Sequence, residues 1–240
     1  MIPGMDLAAL WEDIGRRLMT GRCRLCGEPP EGPVELCRDC RASLPWIDPP
    51  CPGCGLPLPP GRPDAPCGHC LRRAPPWQRL VAPLAYAPPV SGLVHAFKDD
   101  GDLAAGRLLA DLLAGALPDG CPSAILPIPL HRRRLRERGF NQATEIARRL
   151  PGHILHGRLQ RPAAGADQRG GNARRRRANV RHAFTAEPRR LPLQVLVVDD
   201  VVTTGATLTA VTAALRHAGV DRVWVCAPAR TLPDGPRSGR

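Results

Sequence analysis

Apolar runs and periodic leucines along the C-terminal part of the chain predict strands that alternate with helices. Short, continuous apolar runs are typical of buried parallel strands, whereas core-facing helices repeat apolar residues every three or four positions. Strands are predicted at residues 80–86, 124–128, 195–198 and 222–227, and helices at 92–98, 103–117, 142–150 and 208–217. We expect this domain to begin near Trp77.

The stretch 195–207 carries the most informative polar residues. Asp199 and Asp200 follow the carboxyl end of its strand, and the turn Thr203-Thr-Gly-Ala-Thr207 leads into the helix at 208–217. Backbone N–H groups at a helix N-terminus form an anion site that suits a phosphate. Carboxylates accept hydrogen bonds from hydroxyl groups. The pattern predicts a sugar-phosphate pocket, with phosphate on the turn and ribose hydroxyls on the aspartates.

Other protein classes share parts of this stretch, but each needs a further feature. A nucleotide hydrolase needs a glycine-rich loop that ends in Lys-Ser or Lys-Thr, whereas the only lysine is Lys98, in Phe-Lys-Asp-Asp. A receiver domain needs roughly a hundred more residues after its paired acids. A dinucleotide-binding turn needs Gly-x-Gly-x-x-Gly early in its unit. An ordinary polar turn requires neither the two acids nor so many hydroxyls.

Four Cys-x-x-Cys turns occupy the N-terminal third of the chain. Two such turns supply the four thiolates of a closed, tetrahedral, structural zinc site, so four turns predict two sites. Sequential pairing closes the shortest loops, and interleaved pairing stays open, as do unligated thiols or a redox pair. We expect this module to need metal to fold. The predicted ligands are Cys23, Cys26, Cys37, Cys40, Cys51, Cys54, Cys67 and Cys70.

Length, charge and composition limit the remaining possibilities. The 240 residues, 43% of them hydrophobic, allow one domain of ordinary size and a small module. A net charge of +12 attracts polyphosphates or nucleic acid, while 3% aromatic residues argue against a base-stacking platform. The absence of an eighteen-residue apolar run and of a secretory signal predicts a cytoplasmic protein without membrane insertion. The predicted organisation is a short helix at 1–20, a double zinc ribbon at 21–76, the larger domain at 77–232 and a frayed tail at 233–240.

Residues 195–207 resemble the phosphoribosyl-pyrophosphate (PRPP) motif of type I phosphoribosyltransferases. Further matches narrow the resemblance to the ComF family, the competence-protein F and GntX-like group. They are Phe97-Lys98 with Gly101-Asp102, Pro127-Ile-Pro-Leu130, Arg138-Gly-Phe-Asn-Gln142, and Gln168 followed by Asn179 and Phe184. The resemblance covers roughly residues 80–230 and the N-terminal cysteines. It implies an α/β type I phosphoribosyltransferase fold, a central mostly parallel sheet flanked by helices, with a small N-terminal zinc-ribbon module whose sites each use four cysteines.

The resemblance also implies a reaction and its residues. Mg²⁺-dependent transfer of ribose 5-phosphate from PRPP would release pyrophosphate, and Asp199 and Asp200 would be catalytic. A mobile basic loop at 169–177 would close over the pyrophosphate, although Ala163 to Gly165 replace a basic residue and a threonine of the relatives. The acceptor is not identified by any residue. The expected PRPP-binding residues are Val201, Val202, Thr203, Thr204, Gly205, Ala206, Thr207, Pro127, Ile128, Pro129, Lys98, Arg138, Asn141 and Gln142.

A non-catalytic role is the alternative hypothesis. The same fold would then serve a competence factor that binds PRPP or single-stranded DNA during DNA uptake and natural transformation. The basic runs at 131–138 and 169–177 would follow DNA phosphates. The resemblance also implies a DNA helicase and recombination proteins as partners.

Overall fold

The structure is a computed structural model that describes residues 21–61, 65–161, 184–188 and 191–233. It divides into two compact units, the first ending at Leu44 and the second beginning at Pro45. The second pair of cysteine turns therefore packs within the larger unit, and the predicted domain boundary after residue 76 stays a prediction. The predicted helix at 1–20, the basic loop at 169–177, Gln168, Asn179 and most of the expected tail lie outside the described residues.

Short elements dominate the described part of the chain. Its helices are α1 (Arg38–Ala42), α2 (Gly68–Arg72), α3 (Val90–Asp99), α4 (Leu103–Ala114), α5 (Arg132–Arg138), α6 (Gln142–Ala147) and α7 (Ala206–His217). Its strands are β1 (Arg79–Val81), β2 (Leu84–Ala85), β3 (Ala124–Pro127), β4 (His153–Ile154), β5 (Leu159–Gln160), β6 (Thr185–Ala186), β7 (Gln194–Val198), β8 (Val201–Val202), β9 (Arg222–Cys226) and β10 (Ala229–Arg230). Within these ranges, no helix combines the length and the apolar character needed to cross a membrane.

A five-stranded sheet forms the centre of the larger unit. Its strand order is β1-β9-β7-β3-β4, and every neighbouring pair is parallel. A smaller parallel sheet has the order β2-β10-β8, and β5 pairs with β6 in antiparallel orientation. The predicted α/β architecture with a mostly parallel central sheet is confirmed.

The central strand β7 is buried on both of its faces. Val195 and Val197 pack in one core cluster with Val211 and Leu215 of α7. Side chains alternate along a strand, so Leu196 and Val198 point to the opposite face, where they are also fully buried. Burial on both faces explains why the sequence here is a continuous apolar run, as it is in most parallel sheets.

One predicted strand is divided in two. The segment predicted at 80–86 forms β1, which pairs with β9, and β2, which pairs with β10. Pro83 lies between them, and proline has no N–H group to donate to a ladder. The prediction of a strand was right in type, but it missed the change of sheet at the proline.

Packing between α3 and α4 orients the residue that follows Phe97. The Phe97 side chain is 1% exposed, and its ring lies against the backbone of Gly106, where an added Cβ would come within 2.4 Å of the Phe97 Cε2 atom. The Phe97 ring also lies 5.4 Å from the Phe140 ring. Because Phe97 is anchored in this way, the next residue, Lys98, is directed away from the core.

Two glycine substitutions test this packing. Gly106→Ala should lower the free energy of unfolding by about 1–3 kcal/mol, because the new methyl group overlaps the buried ring. Gly92→Ala, in α3, is the matched control, because a Cβ there meets no atom within 4 Å and alanine raises helix propensity by about 0.5–1 kcal/mol. Urea unfolding monitored by circular dichroism measures both changes. Equal stability of the two variants would contradict the packing argument.

Candidate functional site at the carboxyl edge of the sheet

The two adjacent acids lie where three parallel strands end. Asp199 and Asp200 follow β7 directly, and the main chain beside them is tied to both neighbouring strands. The Ile128 amide, after β3, donates to the Val198 carbonyl at 2.9 Å, and the Asp199 amide donates to the Cys226 carbonyl of β9 at 3.0 Å. In open parallel α/β sheets, ligands bind at this edge. The geometry therefore fixes both carboxylates at the usual ligand-binding edge.

The turn 203–207 leads from the small sheet into α7. Gly205 is the N-cap residue of α7, and its φ of +77° lies in the left-handed region that glycine adopts without strain. Gly205 has no side chain to cap this helix N-terminus, and the Ala206 N–H group, the first amide of the helix, donates a 3.4 Å hydrogen bond to Thr204 Oγ1. Thr203, Thr204, Ala206 and Thr207 are exposed there. The turn thus presents hydroxyls and backbone N–H groups at a helix N-terminus, as an anion site does.

Lys98 brings a positive charge to the acid pair. Its Nζ atom lies 2.9 Å from Asp200 Oδ2, and the two side chains are only 20% and 19% exposed. The partners are about a hundred residues apart in sequence, so only the fold brings them together. The expectation that Lys98 lies close to a pyrophosphate remains a prediction, but the structure does place this lysine beside the predicted catalytic carboxylates.

Asp199 is held in a setting that opposes its ionisation. Burial and the neighbouring Asp200 charge raise the pKa of Asp199 to about 7. A hydrogen bond of 2.9 Å from the Asp200 amide to Asp199 Oδ1, together with the charges of Lys98 and Arg161, acts in the opposite direction. Asp199 can therefore change its protonation state near neutral pH, a property that often marks functional sites.

The turn that follows β3 is stabilised by a hydrogen bond from Asn141, in the predicted segment Arg138-Gly-Phe-Asn-Gln142. Asn141 caps α6 through its Oδ1 atom, and its Nδ2 group donates to the Ile128 carbonyl at 3.0 Å. The amide side chain of Asn141 thus fixes the backbone between Pro127 and Pro129. An asparagine can make both contacts because its side chain carries an acceptor and a donor group.

Arg138 and Gln142 form a hydrogen bond with each other, and of the two only Gln142 is buried. Arg138 bonds to Asp99 Oδ1 at 3.1 Å, beside Lys98, and to Gln142 Oε1 at 3.5 Å. The Gln142 side chain is 1% exposed, and its Nε2 group has no hydrogen-bond partner among the described residues. The structure therefore joins Gln142 to the site through Arg138. A direct contact of either residue with PRPP stays a prediction.

A basic cavity of about 400 Å³ was missed by the site prediction. It opens beside the α5 segment, and its lining residues are His131, Arg133, Arg134, Glu137 and Arg161. The Arg161 guanidinium stacks over the Phe184 ring at 5.4 Å, and its charge acts on Asp199. The run 131–138 was recognised as basic, but nothing in the local sequence around Arg161 indicates that it lies close to that run.

The eight predicted zinc ligands form two separate clusters. Cys23, Cys26, Cys37 and Cys40 form one, and Cys51, Cys54, Cys67 and Cys70 form the other. All Sγ atoms of a cluster lie within 4.8 Å of one another, and one pair in each is 3.6 Å apart. Four sulfurs at about 2.3 Å from a tetrahedral ion would be about 3.8 Å apart. Both clusters therefore fit a structural zinc ion, and the pairing is sequential.

The first cysteine of each cluster has a thiol whose pKa is lower than usual. Burial disfavours the thiolate of Cys23, but backbone hydrogen bonds from Cys37, Cys26 and Leu25 outweigh it and lower its pKa to about 6. Cys51 follows the same pattern, with a pKa of about 7. Burial and the neighbouring sulfurs raise the pKa of Cys54 to about 11. A dication bound among the four sulfurs would oppose the raised pKa values by stabilising all four thiolates.

Comparison with known proteins now identifies the family. A model described as a double zinc ribbon domain matches residues 15–71, and one described as a phosphoribosyl transferase domain matches residues 135–237. The DNA utilization protein YhgH of Escherichia coli (strain K12) is 36% identical over 228 residues, which cover 88% of this chain and 98% of that protein. The chain belongs to the ComF/YhgH family.

Other members of the ComF/YhgH family match at similar levels. The DNA utilization protein YhgH of Salmonella typhi is 39% identical over 194 residues, 76% of this chain and 84% of that protein. Competence protein F of Haemophilus influenzae is 35% identical over 178 residues, 68% of this chain and 78% of that protein. The predicted family, its phosphoribosyltransferase fold and the double zinc ribbon are thus confirmed. The roles assigned to individual site residues remain predictions.

The raised pKa of Asp199 predicts how stability depends on pH. The folded protein binds this proton more tightly than the unfolded chain, whose carboxyl pKa is about 3.8. The stabilisation from this proton is therefore complete at low pH and is lost as pH rises through about 7. Asp199→Asn avoids that loss. The variant should gain stability over wild type between about pH 6 and pH 8.5, by on the order of 1 kcal/mol.

Urea unfolding of wild type and variant at the two pH values measures this gain. Asp119→Asn, at an exposed position, is the matched control and should show no such change with pH. A stability difference between Asp199→Asn and wild type that is the same at both pH values would contradict the assigned setting of Asp199.

Proposed function

We propose that this ComF/YhgH protein binds PRPP at the carboxyl edge of its sheet and transfers the ribose 5-phosphate group, with release of pyrophosphate. The observation that carries the proposal is that Asp199 and Asp200 directly precede the exposed turn at the N-terminus of α7, with Lys98 Nζ 2.9 Å from Asp200 Oδ2. A sugar phosphate needs both an anion site and hydroxyl acceptors, and this edge of the sheet offers the two together.

The turn 203–207 would hold the 5-phosphate. Its three threonines are exposed, and an L-residue at Gly205 would be strained at a φ of +77°. Backbone N–H groups at a helix N-terminus bind phosphate through direct hydrogen bonds and through the helix dipole. These donors would bind the 5-phosphate of the ligand without a further cation.

The aspartates would accept hydrogen bonds from the ribose 2′- and 3′-hydroxyls. Two carboxylates would otherwise repel a polyanion, so the charge of Lys98 and the basic cavity near Asp199 matter for binding. As the bond between C1′ and the pyrophosphate oxygen breaks, pyrophosphate takes the electron pair and C1′ becomes positive. Carboxylates in a site of low dielectric constant would stabilise that charge.

Mg²⁺ is expected with PRPP rather than as a resident ion. In the described residues, the clusters of three or more metal-ligating side chains are the two cysteine sets, so no carboxylate cage for Mg²⁺ is present there. Mg²⁺ commonly uses one or two carboxylates together with substrate phosphates, and Asp199 and Asp200 fit that donor set. When bound, the ion would neutralise charge on the leaving pyrophosphate.

Pyrophosphate release tests the transferase proposal. The full-length protein is incubated with Mg-PRPP alone and with bases, nucleosides or single-stranded DNA as acceptors. Asp200→Asn should lower the release rate by about 100-fold or more, because it removes a charge that stabilises the transition state. Asp199→Asn should have a similar effect, whereas Asp221→Asn, an exposed acid beside Arg216, should be neutral.

Two results would contradict this proposal. One is the absence of pyrophosphate release with every acceptor although calorimetry detects PRPP binding, which would favour a non-catalytic binding protein. The other is release that proceeds unchanged in both aspartate variants, because it would place the chemistry elsewhere.

A second candidate function is binding of single-stranded DNA. The observation in its favour is the basic cavity around Arg134 and Arg161, to which the exposed α5 adds further arginines. The printed name of the YhgH relatives, DNA utilization protein, is consistent with such a ligand. Phosphate contacts would dominate this binding, so it should weaken steeply with added salt.

Variants of the cavity test the DNA hypothesis. Arg134→Ala and Arg161→Ala should each weaken binding of a labelled oligonucleotide and reduce the slope of log affinity against log salt by about 0.7. Arg216→Ala, an arginine on α7 paired with Asp221, is the charge-matched control. Fluorescence anisotropy at several salt concentrations gives the slopes. Slopes that match wild type in both cavity variants would exclude this cavity as the DNA site.

The proposed setting is the cytoplasm. Zinc-binding thiolates persist in a reducing compartment, and none of the ten cysteines is joined in a disulfide in the structure. A DNA helicase and recombination proteins remain proposed partners, which the link to DNA utilization supports.

A further inference from the structure

Trp77 connects the second cysteine cluster to the turn 203–207. Its side chain is 8% exposed, and its Nε1–H group donates to the Gly53 carbonyl at 2.7 Å, inside the Cys51–Cys54 turn. Its ring lies against Gly205, where an added Cβ would be 3.3 Å from Trp77 Cη2. One buried side chain thus contacts both a metal-ligand turn and the N-cap residue of α7.

Arg230 makes a second connection between the same two segments. Its Nε group donates to the Cys54 carbonyl at 3.0 Å, and its Nη1 group donates to the Val202 carbonyl at 3.2 Å and to the Thr203 carbonyl. The planar guanidinium group can serve these acceptors together because its donors have a fixed geometry. A lysine has the charge but cannot reproduce that fork.

The carbonyl acceptors belong to a turn whose shape depends on its thiolates. A Cβ on Gly53 would approach Cys70 Sγ to 2.9 Å, so the Gly53 backbone packs directly on the fourth ligand of the cluster. The Cys67 amide donates to Cys51 Sγ at 3.2 Å and links the two halves of the cluster. A tetrahedral ion would hold these sulfurs together, and with them the carbonyls of Gly53 and Cys54.

We propose that Trp77 and Arg230 are positioning residues that transmit the metal-bound geometry of the second cysteine cluster to the phosphate turn 203–207. The identity of the turn's ligand rests on the proposed function, but the coupling itself does not. The metal at Cys51, Cys54, Cys67 and Cys70 then controls ligand affinity as well as local stability. The proposal concerns the second cluster alone, which lies in the same compact unit as the turn, whereas the first cluster belongs to the other unit.

Hydrogen exchange in the ligand-free protein tests the coupling directly. The amides of Thr209 and Thr231 report on the turn, because they donate to the carbonyls of Gly205 and Val202. The Ile128 amide, bonded to Val198 in the central sheet, is the internal reference. Trp77→Phe keeps an aromatic ring beside Gly205 but removes the donor to Gly53, and Arg230→Lys keeps the charge but removes the fork.

Both variants should retain two zinc ions per chain and exchange the Thr209 and Thr231 amides roughly five- to tenfold faster, as expected for the loss of one or two hydrogen bonds. Ile128 should be unaffected. Arg222→Lys replaces an exposed arginine on β9 of the central sheet and should leave all three amides unchanged. Exchange at wild-type rates in both Trp77→Phe and Arg230→Lys would overturn the proposal, as would equal acceleration of Ile128.

A matched pair of cysteine variants separates the two metal sites. Cys67→Ser and Cys37→Ser should each lower the zinc content from two ions to one per chain, by metal analysis after purification. Only Cys67→Ser should accelerate exchange at Thr209 and Thr231. Acceleration in neither variant or in both would contradict the assignment to the second cluster. Should Cys67→Ser fail to fold, the Trp77 and Arg230 variants still decide the question.

Calorimetry with Mg-PRPP adds the ligand to the test. If the proposed function is correct, Trp77→Phe and Arg230→Lys should bind PRPP roughly tenfold more weakly, whereas Arg222→Lys should bind it as tightly as wild type does. Failure of wild type to bind PRPP would remove the proposed ligand, while the exchange rates would still test the coupling. Wild-type affinity in both variants would show that the coupling does not reach the ligand.

Discussion

Two neighbouring carboxylates at the end of a strand that is buried on both faces are the physical constraint on which the site depends. Asp199 and Asp200 repel each other where water is partly excluded, and that repulsion, after burial, raises the pKa of Asp199. Lys98 opposes it through the contact with Asp200. The position of Lys98 depends in turn on α3, which is anchored by Phe97 against Gly106. Core packing some distance from the ligand edge therefore sets the electrostatics of the site.

Local patterns were sufficient to predict the inner strands of the central sheet, its three longest helices and the position of the acids, but not most of the short strands and helices. The apolar run 195–198 and the turn that follows it carry their own periodicity and chemistry, so β7 and α7 appear within two residues of their predicted bounds. Contacts between residues that are far apart in the sequence leave no comparable local pattern. The pairing of Lys98 with Asp200, the stacking of Arg161 on Phe184, and the division of one predicted strand at Pro83 all depend on tertiary contacts or on sheet membership.

The two cysteine clusters show how equal sequence spacing can lead to different structural settings. In both clusters, backbone hydrogen bonds lower the pKa of the first cysteine. Both clusters also bring four sulfurs together in similar geometry. Yet the second cluster packs within the larger unit, where Leu58 covers it and Trp77 and Arg230 bond to its carbonyls. Spacing alone predicts the ligands of a zinc site, whereas the neighbours of its backbone decide what else the site supports.

The ion pair between Lys98 and Asp200 also bears on how a polyanion would enter the site. In the free protein, Lys98 compensates the carboxylate charge, so the pair costs less to hold in a partly buried position than two lone acids would. Under the proposed function, the pyrophosphate of PRPP competes for Lys98 while the ribose hydroxyls supply new donors to Asp200. Loss of the internal ion pair is then offset at the moment of binding. The same exchange cannot occur with a ligand that carries phosphate but lacks hydroxyl groups, because Asp200 would lose its counter-charge and gain no donor. Selectivity for a sugar phosphate over phosphate alone follows from that difference.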